Sequence, residues 1–289
     1  MPIIEPAIRP PAEAYSFLLQ ITLGCSANHC SFCGAYLGKP FKIKPWVEIK
    51  SDIDTHALDY PETRKVFLMD GDALVLNSQK LLPILKYLNK KFPKLIRIST
   101  YANDYNILAK TDEELNELYQ HKLKLIYMGL ESGDQEILDN CQKKSKVQGM
   151  IQSIKRVQAF GIKSSVIVLL GLGGKKLSAR HALKTAEALN QMQPRYLSFL
   201  SLMLIPTTPL YKQQQSGEFD ELNSLELLEE AYAIIEKIEL KKTIFRSNHA
   251  SNYLSLEGRF PQDKDRLLET LKRALKGNLS LRPEIFRGL

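Results

Sequence analysis

Apolar and polar positions along this 289-residue chain fall into short β-like runs separated by stretches of helical spacing. The runs Ser16–Leu23, Lys65–Met69, Leu95–Ser99, Lys124–Leu130, Lys163–Leu170 and Tyr196–Leu204 predict six strands. Between them, Leu81, Leu82, Leu85 and Leu88 share one face of a helix that Ser78 can cap. Thr111 followed by Glu114 is a capping box ahead of Leu115 and Leu118. Met150, Ile151, Ile154, Val157 and Phe160 recur at helical spacing, and Gly161 stands where a helix-ending glycine belongs. A further helix opens at Ser178 and runs through Ala182, Ala186 and Leu189.

Strand–helix alternation of this kind predicts an α/β fold with parallel strands joined by right-handed crossovers. Six units fall short of the eight of a closed barrel, so periodicity alone allows an open doubly wound sheet or a partial barrel equally. Residues 1–14, with Pro2, Pro6, Pro10 and Pro11, read as an extended N-terminal arm, and residues 15–210 hold the alternating pattern. Residues 211–289 read as a helix-rich C-terminal extension. The sequence carries no internal repeat.

Composition narrows the class. With 44% hydrophobic and 25% charged residues, the chain is neither disordered nor fibrous. No apolar run approaches the roughly 18 residues of a membrane span, and the first residues lack the pattern of a secretory signal. Of the four cysteines, three crowd between Cys25 and Cys33, which points to metal in a reducing compartment rather than to disulfides. A soluble cytoplasmic protein is expected.

The crowded segment is Gly24-Cys25-Ser26-Ala27-Asn28-His29-Cys30-Ser31-Phe32-Cys33-Gly34, directly after the first predicted strand. Structural zinc sites usually take four ligands, and here a zinc knot would need His29 or Cys141 as the fourth. A cubane iron–sulfur cluster held by three thiolates would instead leave one iron open for an external ligand. In spacing and in the aromatic Phe32 before the last cysteine, the segment resembles the radical S-adenosylmethionine superfamily, with one more residue than usual between the first two cysteines.

That resemblance implies a six-stranded parallel partial TIM-type barrel with a [4Fe–4S] cluster on Cys25, Cys30 and Cys33. It implies S-adenosylmethionine bound at the open iron, reductive cleavage to a 5′-deoxyadenosyl radical, and hydrogen abstraction from a substrate. A reductant such as flavodoxin or ferredoxin is the implied electron source. Other segments carry the resemblance further. In Met69-Asp70-Gly71-Asp72, Gly71 and Asp72 match an element that touches the methionyl amine, and Tyr101 or Asn103 matches a ribose-contacting position. Gly129-Leu130-Glu131-Ser132-Gly133 matches a motif whose glutamate accepts from the ribose hydroxyls, and Lys143 matches a base near the methionyl carboxylate, although a solvated basic turn with Lys144 and Lys146 is equally plausible. Gly171, in Gly171-Leu172-Gly173-Gly174, matches a glycine beside the adenine, and Ile205-Pro206-Thr207-Thr208-Pro209 resembles the stiff exit of the sixth strand.

Absences narrow the chemistry. Cys141 alone cannot supply an auxiliary cluster, and a small core or surface thiol is its ordinary role. The 14 N-terminal residues cannot form a cobalamin domain. Substrate recognition is expected in Phe245–Leu254, a lid between helices with Arg246, Asn248, His249, Asn252 and Tyr253 as contacts. From Glu236 onward, 12 basic residues face 7 acidic ones, which favours a small-molecule or other anionic substrate. A second reading is a zinc-stabilised nucleic-acid-binding protein without turnover, though no nucleic-acid module is recognisable.

Overall fold

The computed structural model describes residues 3–288, so the first two positions of the expected arm lie outside the described residues. The chain divides into two compact units.

The first unit comprises residues up to Asn28, Cys33–Met128 and Gln152–Ser164. It opens with β1 (Phe17–Leu19), followed by a small antiparallel pair, β2 (Thr22–Leu23) and β3 (Lys42–Ile43). Then come α1 (Trp46–Asp59), β4 (Lys65–Leu68), α2 (Ser78–Lys91), β5 (Arg97–Tyr101), α3 (Asp104–Leu108), α4 (Asp112–Gln120) and β6 (Leu123–Glu131), which ends in the second unit. Strands β1, β4, β5 and β6 pair in that order, all parallel, with Phe17 against Val66, Val66 against Ile98 and Ser99 against Leu125. Val66, Phe67 and Leu68 are buried in succession, as a strand covered on both faces requires.

Several sequence expectations shift here. The predicted strand Ser16–Leu23 breaks after Leu19, where the buried Gln20 turns its amide to Asp70 and to the backbone of Ile4. The expected arm ends in a 3-10 turn, Pro11–Glu13. There Glu13 is fully buried, accepting from Arg97 at 2.8 Å and from the Tyr127 hydroxyl at 2.6 Å. Asn77, not Ser78, caps α2, while the Thr111–Glu114 capping box forms as expected.

The second unit comprises His29–Phe32, Gly129–Ile151 and Ser165–Leu289. It contains α5 (Gln135–Asn140), the start of α6 (Val147–Ala159), most of β7 (Lys163–Leu170), α7 (Gly174–Met192), β8 (Tyr196–Ser201), α8 (Pro209–Gln215), α9 (Ser224–Lys237), β9 (Ile244–Ser247), β10 (Leu256–Arg259) and α10 (Lys264–Leu275). β7, β8 and β9 run parallel, with Ser165 against Tyr196 and Leu197 against Phe245, and β10 closes the edge antiparallel to β9.

Among the described residues the larger sheet has eight strands rather than six, and the expected α/β, mostly parallel class holds. The two extra strands lie in the extension expected to be helix-rich, and the start of the expected lid is strand β9. Ile244–Ser247 alternates across the sheet, and Phe245 packs edge-on against Phe199 (4.9 Å) and Phe260 (5.7 Å). Helix α7 begins at Gly174, so Ser178 is interior to it and its hydroxyl serves another purpose described below.

Candidate active site

In the first unit, the residues after β1 and β4 hold one another. Gly24, at φ +74°, donates its N–H to Asp70 Oδ2 at 2.8 Å and accepts from the Gly71 N–H at 3.0 Å. Asp70 is itself left-handed, at φ +65°, and fully buried. Its charge is met by Lys39 Nζ at 3.0 Å and its other oxygen by Gln20 at 3.2 Å. A Cβ on Gly71 would fall 2.5 Å from Cys25 Cβ and 2.7 Å from its sulfur, so only glycine lets this turn lie against the cysteine.

One residue further on, Asp72 is fully buried with an asymmetric carboxylate. Oδ2 accepts from Ser26 at 2.8 Å, from Asn103 at 2.9 Å and from Asn106. Oδ1 is buried with no hydrogen-bond partner. Burial raises the Asp72 pKa above the ordinary carboxylate range, while Asn103, Ser26 and Asn106 pull the other way. Tyr101 ends β5 with its ring packed against Phe67 and Tyr127. Cys25 and Cys33 are half-buried in this unit.

In the second unit, Cys30, Ser31 and Phe32 are held by backbone bonds. The Ser31 N–H donates to the Cys141 carbonyl and its carbonyl accepts from the Leu210 N–H, both at 2.9 Å. Phe32 packs against a buried cluster of Ile137, Cys141, Leu172, Leu202 and Leu210, so of the two roles left open Cys141 takes that of a core thiol. Burial pushes the Cys141 thiol up to about 11.

Each residue of Gly129–Gly133 has a separate reason. A Cβ at Gly129 would come within 1.9 Å of Glu131 Oε1, so the glycine makes room for that carboxylate to fold back. Glu131 sits at φ +59°, and the Ser132 N–H donates to the Leu130 carbonyl at 2.7 Å across it. This is the positive-φ γ-turn, the rarer and more strained form. A Cβ at Gly133 would meet the Lys184 carbonyl oxygen at 2.2 Å, so α7 crosses this turn in backbone contact. Burial raises the Glu131 pKa, opposed by Lys143, whose Nζ lies 3.8 Å from Oε1. Lys143 is thus aimed at the carboxylate, whereas Lys144 and Lys146 are exposed, Lys146 in an ion pair with Asp139 at 2.8 Å. After β7, Gly171 at φ +85° gives its N–H to Glu230 Oε1 at 2.7 Å.

The expected substrate contacts separate into two groups. Arg246 and Asn248 are exposed and His249 is half-buried, with Nδ1 2.9 Å from the Ser251 hydroxyl; burial, then Arg282, lowers its pKa. Asn252 is engaged on both sides of its amide, accepting from Ser201 at 2.9 Å and donating to the Phe199 carbonyl at 2.8 Å and to Ser247 at 3.0 Å. The Tyr253 hydroxyl bonds Glu284 and Arg287, and these three side by side with Glu221 line a cavity of about 590 Å³.

The family model of the radical SAM superfamily matches residues 19–189. The chain belongs to that superfamily. No curated protein matches the chain. Among solved structures it is similar to methylornithine synthase (15% identity, TM-score 0.55, covering 90% of this chain and 80% of that one). It is also similar to coproporphyrinogen III oxidase from Escherichia coli, a radical SAM enzyme (16%, TM-score 0.55, 76% and 52%). A third is anSMEcpe with bound AdoMet and a peptide (14%, TM-score 0.58, 76% and 58%). This chain thus spans little more than half the length of the last two. At such identities the likeness is one of fold, the α/β partial barrel.

The cofactors of a radical SAM enzyme are a [4Fe–4S] cluster and S-adenosylmethionine, and the residues present fit them. Asp72 Oδ1 is an acceptor held out of water without a donor, which an ammonium group would satisfy. All four cysteines are thiols. Among the described residues no three His, Cys, Asp or Glu side chains gather on one metal ion. A cubane places each thiolate on its own iron.

Several participants escaped the sequence reading: Asp70 with Lys39, and Ser26 with Asn106, which complete the cradle of Asp72. Asn103 and Asn106, three apart at the start of α3, were the available signal. His181 and Glu230, buried on α7 and α9, had none.

Proposed function

We propose that this radical SAM enzyme carries its [4Fe–4S] cluster on Cys25, Cys30 and Cys33 and uses it to abstract hydrogen from an anionic substrate. The observation that carries this reading is the buried Asp72 oxygen without a donor, one residue past the glycine that admits Cys25. When bound, the cluster supplies the electron that cleaves S-adenosylmethionine reductively. The protein's own residues hold the cofactor. Asp72 takes the methionyl ammonium, Gly71 allows the close approach, and Phe32 packs beside the cluster loop. Glu131 accepts from the ribose, Lys143 steadies Glu131 and meets the methionyl carboxylate, Asn103 and Tyr101 flank the sugar, and Gly171 lies against the adenine.

On the substrate side, the exposed Arg246 and Asn248 and the half-exposed His249 suit an anion. Asn252 and Tyr253 support that segment, their polar atoms being engaged internally. A flavodoxin- or ferredoxin-type reductant and a reducing compartment, the cytoplasm, complete the reading. No observation favours the zinc-stabilised nucleic-acid-binding alternative, and among the described residues no helix is long and apolar enough to cross a membrane.

Anaerobic reconstitution with iron and sulfide tests the proposal. It expects a brown protein that releases 5′-deoxyadenosine from S-adenosylmethionine on reduction. Cys30→Ala should lose the iron and keep its circular dichroism. A colourless protein that retains zinc stoichiometrically and ignores S-adenosylmethionine would overturn it.

A further inference from the structure

Behind the turn at Glu131 lies a chain of buried polar groups that nothing so far accounts for. Ser132 Oγ is 2.8 Å from His181 Nδ1 on α7, and His181 Nε2 is 3.5 Å from Glu230 Oε1 on α9. The same Glu230 oxygen accepts the Gly171 N–H at 2.7 Å, and its partner oxygen accepts the Ser178 hydroxyl at 2.5 Å. Ser132 also accepts from the Asp134 N–H at 3.0 Å. With the Ser132 hydroxyl donating to Nδ1, the imidazole proton sits on Nε2, which is buried without a hydrogen bond and has Glu230 Oε1 as its neighbour at 3.5 Å. Serine, histidine and glutamate in this order form hydrolytic triads elsewhere. Here Ser132 and His181 are 0% exposed and Glu230 3%, so no substrate reaches them.

A carboxylate and an imidazole buried together cost free energy unless their partners are well placed. Both ends of the chain meet backbone in unusual conformations: the strained γ-turn at Glu131 and the positive-φ Gly171. The Gly133 N–H, donating to Thr185 of α7 at 2.9 Å, pins the same turn a second time.

We propose that Ser132, His181 and Glu230 form a positioning relay that holds the Glu131 turn and Gly171 in the conformations that receive the nucleoside part of S-adenosylmethionine. This rests on the reading of Glu131 and Gly171 given above. The relay couples two strand ends through α7 and α9, so a change at His181 reaches Glu131 without touching the cofactor.

The test uses reconstituted full-length enzyme, with S-adenosylmethionine affinity measured by equilibrium dialysis, alongside iron content and melting temperature. Ser132→Ala and His181→Asn are expected to retain four irons and a near-native melting temperature, and to weaken affinity about tenfold, roughly 1.4 kcal/mol. In a Glu131→Gln background the same substitutions should cost less than in the wild type, because part of their effect passes through that carboxylate and the remainder through Gly171. Affinity within twofold of the wild type, or losses that add fully to those of Glu131→Gln, would reduce the relay to a structural staple and overturn the proposal. Should His181→Asn fail to fold, Ser132→Ala decides by the same criteria. If the wild type itself binds no S-adenosylmethionine, the functional reading falls and the relay with it; a wild type that binds beside variants that bind equally well sinks the relay alone.

Discussion

The turn at 69–72 and the turn at 129–133 solve one problem in two ways. Each follows a parallel strand, each contains a non-glycine residue at positive φ, and each presents a carboxylate whose pKa burial raises. In the first, strain and function are divided between neighbours. Asp70 takes the left-handed backbone and a lysine, and Asp72 takes three neutral donors and keeps one oxygen in reserve. In the second, Glu131 bears the strain and presents the carboxylate itself, with a lysine at 3.8 Å. Dividing the tasks lets the carboxylate of Asp72 be held by a hydroxyl and two amides, all neutral. Combining them leaves the working group dependent on what lies behind it.

The comparison breaks most visibly at Lys39. Lys39→Met strands the Asp70 charge in the interior and should lower stability by about 3–5 kcal/mol, read from denaturant unfolding. A loss below about 1 kcal/mol would show that the Gly24 N–H and the Gln20 amide suffice for Asp70. Next in size, Gly129→Ala drives a methyl group into the Glu131 carboxylate, and overpacking of about 1–3 kcal/mol should appear as a ten- to hundredfold loss of S-adenosylmethionine affinity. An unchanged affinity would mean that Glu131 points elsewhere when the cofactor binds.

Asp72→Asn and Glu131→Gln should each weaken S-adenosylmethionine binding about tenfold, with iron content intact. If only one does, only one of the turns holds the cofactor. The smallest effect concerns pH. A carboxyl whose folded pKa is raised binds its proton more tightly when folded, so its contribution is complete below the ordinary carboxylate range and is lost as pH climbs through the raised value. Melting temperature of the cofactor-free protein should therefore show a downward component above about pH 4. Asp72→Asn and Glu131→Gln should each flatten it, because burial is the leading cause of both rises. Parallel curves for Asp72→Asn and the wild type would contradict the direction of the Asp72 shift.

What could be read from the residues alone was whatever is local. Each strand run, the Thr111 capping box and the Gly-Leu-Glu-Ser-Gly segment is contained within a few consecutive positions, and hydrophobic period or side-chain chemistry marks it. The strand at Ile244–Ser247 was missed because Arg246 and the following Asn248 and His249 outweigh two apolar residues; its place is fixed by Phe199 and Phe260. The support of Asp72 by Ser26 and Asn106, and of Ser132 by His181, spans 46, 34 and 49 residues and is set by packing alone. Buried Gly133 and Gly171 were legible as glycines, but their reasons, a helix crossing and a backbone donor to Glu230, were not.

Lys39 has one more consequence. Besides Asp70, its ammonium is met by the carbonyls of Ile4 and Pro6, both at 2.7 Å, and Ile4 also exchanges two bonds with Gln20. Ile4 and Pro6 are therefore a keystone for the loop that begins at Gly24. Removing the carbonyls of Ile4 and Pro6 from Lys39 would loosen the cysteine segment some twenty positions downstream while leaving every one of its sulfur atoms in place.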